Sequence, residues 1–139
     1  MPHPPFPAPR PARRGFTLIE IIVILIIIAL MLVIIVPHLY NQWEMRKAER
    51  VKGDLVTLND AIQHYALDNG KVGGAQLQYA DLRKYLEPKS DVYLNEGRDL
   101  FGDSYGPFTV GTPPAVPRET ADKLSAVAGD DFWSPFQLQ

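Results

Sequence analysis

The sequence predicts an α+β protein hung on one long N-terminal helix. The first half of that helix spans a membrane. Its second half packs on a small head of short antiparallel strands and short helices. Three observations predict this. Phe16 to Val36 is a run of 21 residues in which only Thr17 and Glu20 are polar. Ala48, Val51, Leu55, Leu58, Ile62 and Tyr65 then recur at spacings of three and four, the stripe of an amphipathic helix. Beyond Gly70 the chain breaks into short apolar stretches punctuated by Gly and Pro.

Taken in order, Met1 to Arg14 holds six prolines and three arginines, Arg10, Arg13 and Arg14, and no acid. Proline removes helix donors and clashes in helix interiors, so this stretch reads as a disordered basic leader. The run from Phe16, at ~1.5 Å per residue, gives a helix of about 31 Å, enough for a hydrocarbon core of ~30 Å. It is too long for an ordinary secretory signal, and Pro37-His38-Leu39-Tyr40 offers no small-x-small cleavage site after it. Nine isoleucines between Ile19 and Ile35, with no glycine, suit it to packing and not to a small-xxx-small dimer. Tyr40 and Trp43 read as interfacial anchors. The amphipathic continuation carries Glu44, Arg46, Lys47, Arg50, Lys52, Asp54 and Asp60 off the stripe, and Asn69-Gly70 supplies a left-handed end. Pro37 and Gly53 are its weak points, one through a missing donor and one through backbone entropy.

In the head, Lys71 to Gln78 reads as a loop and Tyr79 to Leu86 as a short helix stopped by Pro88. Val92-Tyr93-Leu94 and Tyr105 to Val110 read as brief strands, with turns at Gly97 and Gly102. Gly111 to Pro117 is a proline-rich loop. Thr120 then caps a last helix, Ala121 to Ala128, closed by Gly129, and the end from Asp130 to Phe136 is irregular and aromatic. The expected organisation is therefore a leader 1–15, a transmembrane helix 16–37, its amphipathic continuation 38–69 and a head 70–139.

Charge orients the chain. Arginines precede the apolar run, while from His38 onward fifteen acids face eleven bases. The positive-inside rule keeps the N-terminus cytoplasmic and sends an acidic head across the membrane. An acidic exported part argues against nucleic acid as the primary partner. There is no cysteine, so the head must hold by packing, by a metal or by neighbouring subunits. Enzyme readings fail on inventory. His3, His38 and His64 stand apart from any serine or acid motif, and no phosphate-cradling glycine loop is present.

The chemistry concentrates at Arg13-Arg14-Gly15-Phe16-Thr17-Leu18-Ile19-Glu20. Gly15 offers an unhindered peptide bond at the membrane edge. An acid in a membrane helix costs roughly 2.5–3.5 kcal/mol on insertion scales, which makes Glu20 a functional residue by default. If the chain is cut after Gly15, Phe16 gains an α-amino cation one helical turn from Glu20. The carboxylate of one subunit can then face the amine of a staggered neighbour, and only correct stagger relieves the desolvation cost. Glu20 reads as an assembly register device.

Gly15 to Glu20 resembles the processing site of type IV pilins and type II secretion pseudopilins. Two further stretches are similar to the major pseudopilins of type II secretion. One is Leu58 to Gly70, at the end of the long helix. The other is Asp99-Leu100-Phe101-Gly102-Asp103-Ser104-Tyr105, with Leu100 and Phe101 where that family has Pro and Trp. Lys71-Val72 also departs from the family's Tyr-Pro, and nothing from about Gly111 matches. The resemblance implies cleavage after Gly15 by a prepilin peptidase and N-methylation of Phe16. It implies an inner-membrane single-pass subunit with a periplasmic head. It also implies polymerisation with its own kind and other pilin-like subunits on an inner-membrane assembly platform. One calcium ion in the head is a further implication, with Asp99, Asp103, Asp130 and Asp131 the available acids and no ligand set chosen. The leading expectation is a structural subunit of a type II secretion filament. A type IV pilus subunit is the alternative, and a membrane-anchored binding domain that never polymerises is the alternative of another class.

Overall fold

The computed structural model describes Met1 and residues 15–139. The expected leader therefore lies outside the described residues except at its two ends, and with it Arg10, Arg13 and Arg14. The chain forms two compact units, Met1–Pro37 and His38–Gln139. The fold is α+β, as the sequence predicts: one long helix, α1 (Leu18–Asn69), and a head with a two-stranded antiparallel sheet and short helices.

In the first unit every residue from Phe16 to Val36 is exposed. This is the one described helix long and apolar enough to cross a membrane. Pro37 lies inside α1 and does not end it.

In the second unit the predicted stripe is the floor of the core. Ala48, Val51, Leu55, Leu58 and Ile62 are buried, Tyr65 is half-buried, and Asp54 and Ala61 join them. Gly70, at φ 58°, closes α1, and the Lys71 N–H reaches back to the Ala66 carbonyl at 3.1 Å. That six-to-one bond satisfies a carbonyl the helix end would otherwise orphan. β1 (Gln76–Leu77) pairs antiparallel with β2 (Phe108–Thr109), Leu77 opposite Phe108. α2 (Tyr79–Leu82) runs into a 3-10 turn at Arg83–Tyr85, where the sequence places its short helix. Leu82, Leu86, Val92, Tyr105, Val116, Leu124 and Trp133 fill the space above the stripe.

Several expectations are corrected. Val92-Tyr93-Leu94 is not a strand but part of α3 (Asp91–Leu94). The Ser90 hydroxyl accepts from the Tyr93 N–H and Asp91 sits in the first turn, so a cap outweighs the β-branched and aromatic residues. The strand expected over Tyr105 to Val110 shortens to two residues, since Pro107 brings no donor to a ladder. Its partner, β1, falls inside the expected loop Lys71 to Gln78. The helix expected from Ala121 is α4 (Arg118–Leu124), with Pro117 at the N-cap position and no side-chain cap. Thr120 lies inside it, fully buried, and its hydroxyl serves other groups. Gly129 opens α5 (Asp130–Trp133) where an irregular end was expected, and Trp133 is the largest fully buried side chain. Lys52, expected on a solvated face, is half-buried. Its ammonium donates to the Phe132 carbonyl at 2.6 Å and covers that ring at 4.9 Å.

Candidate functional site

The N-terminal site is built by the first turn of α1. Gly15 precedes the helix and is exposed; a Cβ added there meets nothing within 4 Å, and its φ is not left-handed. The fold makes no demand for glycine at this position, so any demand comes from whatever reads the chain. Phe16 is 73% exposed. Thr17 and Glu20 form a reciprocal pair: the Glu20 N–H donates to Thr17 Oγ1 at 3.3 Å and the Thr17 N–H donates to Glu20 Oε2 at 3.4 Å. This is the capping-box arrangement, legible as Thr-x-x-Glu before an apolar run, and the sequence reading missed it. It places a carboxylate at the positive end of α1 and leaves it exposed, one turn from Phe16.

The head carries a second polar constellation. Tyr105 donates its hydroxyl to buried Asp54 at 2.8 Å, and Arg50, one turn earlier, pairs with Asp91 at 2.7 Å. Burial pushes the Asp54 carboxyl up to about 6, with the nearby Asp91 charge adding and the Tyr105 hydrogen bond opposing. The Tyr105 phenol is pushed well above its ordinary range by burial and then by Asp54. The Arg50 hydrogen bond holds Asp91 below its ordinary range.

These shifts set a pH profile. The folded head holds the Asp54 proton up to about 6, whereas an unfolded chain releases it near 3.8. Asp54 therefore stabilises the fold fully below its ordinary pKa, and that contribution is lost as pH rises through about 6. Asp91 acts oppositely, and its contribution is lost as pH falls below the ordinary range. The urea midpoint of the head should therefore rise as pH is lowered from 7.5 to 5. In Asp54→Asn, which keeps an oxygen for Tyr105, that rise should vanish. An unchanged slope in the variant would assign the titration elsewhere.

Comparison with known proteins bears on both units. A family profile described as the prokaryotic N-terminal methylation motif matches residues 10–36. The type II secretion system core protein G of Klebsiella michiganensis is 31% identical over 101 residues, 70% of this chain and 71% of that one. The chain belongs to the type II secretion core protein G family. The core protein G of Pectobacterium carotovorum is 36% identical over 98 residues, 68% of this chain and 63% of that one. That of Escherichia coli K12 is 39% identical over 57 residues, 41% of this chain and 39% of that one. No solved structure matches the chain. Gly15, Phe16 and Glu20 all lie within the matched motif.

The calcium implied for such a pseudopilin can be tested on the donor set. Asp99 Oδ1 accepts the amides of Phe101 at 2.8 Å and Asp103 at 2.9 Å, and its Oδ2 accepts from the Thr120 hydroxyl. Asp103 Oδ2 takes the Lys123 ammonium at 3.0 Å, and the Gly102 carbonyl takes the Arg98 guanidinium at 2.9 Å. Asp130 and Asp131 are exposed in the first turn of α5. Calcium wants about six to eight oxygens at ~2.3–2.6 Å. Among the described residues no three His, Cys, Asp or Glu side chains gather into such a cluster. In this structure the Asp99 carboxylate, Asp103 Oδ2 and the Gly102 carbonyl already accept from protein donors.

Proposed function

We propose that this chain is a non-catalytic subunit of a type II secretion filament, cut after Gly15, N-methylated at Phe16 and polymerised from the inner membrane. The observation that carries the reading is the first unit: an apolar helix exposed on every face, with one carboxylate in its first turn. Such a helix needs lipid before assembly and other helices after it. Glu20 then pairs with the amine of a neighbour's Phe16 and selects the stagger. Leader arginines keep the N-terminus cytoplasmic and the acidic head periplasmic. The partners are its own copies, other pilin-like subunits, a prepilin peptidase and an assembly platform. The family match to core protein G subunits supports a structural role.

Intact-mass and fragmentation spectrometry of the membrane-extracted protein tests the processing step. The mature chain should begin at Phe16 and carry one methyl on its amine. Gly15→Ala should be processed far better than a bulky residue at 15, and since the fold accepts a methyl there, any loss reads the peptidase and not folding. A full-length N-terminus beside an active prepilin peptidase would overturn the reading.

A further inference from the structure

Asp99 and Asp103 converge on one hydroxyl. Thr120 Oγ1 donates to Asp99 Oδ2 and lies 3.1 Å from Asp103 Oδ2. A hydroxyl has a single proton, so it cannot fully satisfy both carboxylates. Two like charges held this close call for a cation between loop and helix. Lys123, almost one turn beyond Thr120 on α4, supplies one. Its ammonium sits 3.0 Å from Asp103 Oδ2, 4.0 Å from Glu119 and 5.1 Å from the centre of the Phe101 ring. It thus touches the loop at both 101 and 103 while rooted on the helix.

We propose that Lys123 is the built-in cation of this head, pinning the loop 99–103 to α4 in the role a divalent ion would otherwise fill, so that the fold is independent of free calcium. The pair has the mutual signature of such a contact: Asp103 is held below its ordinary range by Lys123, and Lys123 above its own by Asp103. Arg98 occupies the Gly102 carbonyl, the kind of oxygen a hard cation would recruit. A tethered ammonium differs from a bound ion in two ways. It cannot be stripped by a chelator, and because it is exposed it is weakened by salt.

Hydrogen exchange at the Phe101 and Asp103 amides, both donated to Asp99 Oδ1, reads the loop directly in the full chain held in detergent. These amides should exchange at the same rate in millimolar calcium and in excess EGTA. Raising the salt should speed them. Lys123→Gln should speed them roughly two- to fivefold, the factor an exposed ion pair sustains, and Lys123→Arg should restore protection. Slower exchange in calcium would overturn the proposal, as would salt-insensitive amides in the unaltered chain or unchanged protection in Lys123→Gln. The calcium and salt arms need no variant, so a misfolded Lys123→Gln leaves the test intact.

Discussion

Glu20→Val should insert into the membrane as well as or better than the unaltered chain and should form almost no filaments. The change removes the ~2.5–3.5 kcal/mol cost of an acid in a membrane helix, so anchoring does not suffer. On the proposed register pairing, it also leaves the Phe16 amine of each neighbour without a partner. Stranding one member of a buried ion pair costs about 3–5 kcal/mol, a factor of roughly a hundred or more for every subunit added. Glu20 also caps α1 through the Thr17 N–H, so Glu20→Gln separates the two roles. Glutamine keeps an acceptor for the cap and discards the charge. If charge sets the register, Gln and Val fail alike in filament counts from membranes that hold normal amounts of subunit. Normal filaments in Glu20→Gln would reduce Glu20 to a helix cap.

The second large effect lies in the head. Leu58→Ala and Trp133→Ala, both at fully buried positions, should each cost about 2–5 kcal/mol. Against a domain stability of ~5–15 kcal/mol this is enough to move the urea midpoint far or to unfold the head at physiological temperature. Lys52→Ala should fall between core and surface, at roughly 1–2 kcal/mol, because it removes a charged donor from the Phe132 carbonyl and the cover over that ring. Arg46→Ala, at an exposed position, should stay within ~0.5 kcal/mol. A Lys52→Ala midpoint equal to that of Arg46→Ala would mean the contact to the C-terminal segment is not a structural one.

What could be read in advance follows from length. The stripe on α1 was legible because its period repeats over five turns, and buried Asp54 is the polar interruption that no hydrophobic pattern announces. The Gly70 stop was legible because a left-handed end has few residue choices. The head's elements run from two to seven residues. A two-residue strand shows no alternation and a four-residue helix no period, so Gln76–Leu77 read as loop and Val92–Leu94 as strand. The caps at Ser90 and Thr17 were present in the sequence as Ser-Asp and Thr-x-x-Glu and outranked by stronger apolar signals. Thr120 misled for the opposite reason: its residue type suits a helix cap, but Pro117 starts the helix and frees the hydroxyl for Asp99. Pairings such as Lys123 with Asp103 or Arg50 with Asp91, separated by 20 and 41 positions, exist only once the chain is folded.

Residues 50, 52 and 54 of α1 reach three separate parts of the head: Asp91, the Phe132 carbonyl and Tyr105. At about 100° per residue, Arg50 and Lys52 flank the buried stripe on opposite edges, with Asp54 between Arg50 and its centre. Mechanically this is a rivet line within little more than one helical turn. A pull along the helix axis loads the three bonds side by side, in shear, instead of peeling them one after another. A load carried by this helix therefore enters the head at three separate segments at once, beside the buried stripe that holds the core.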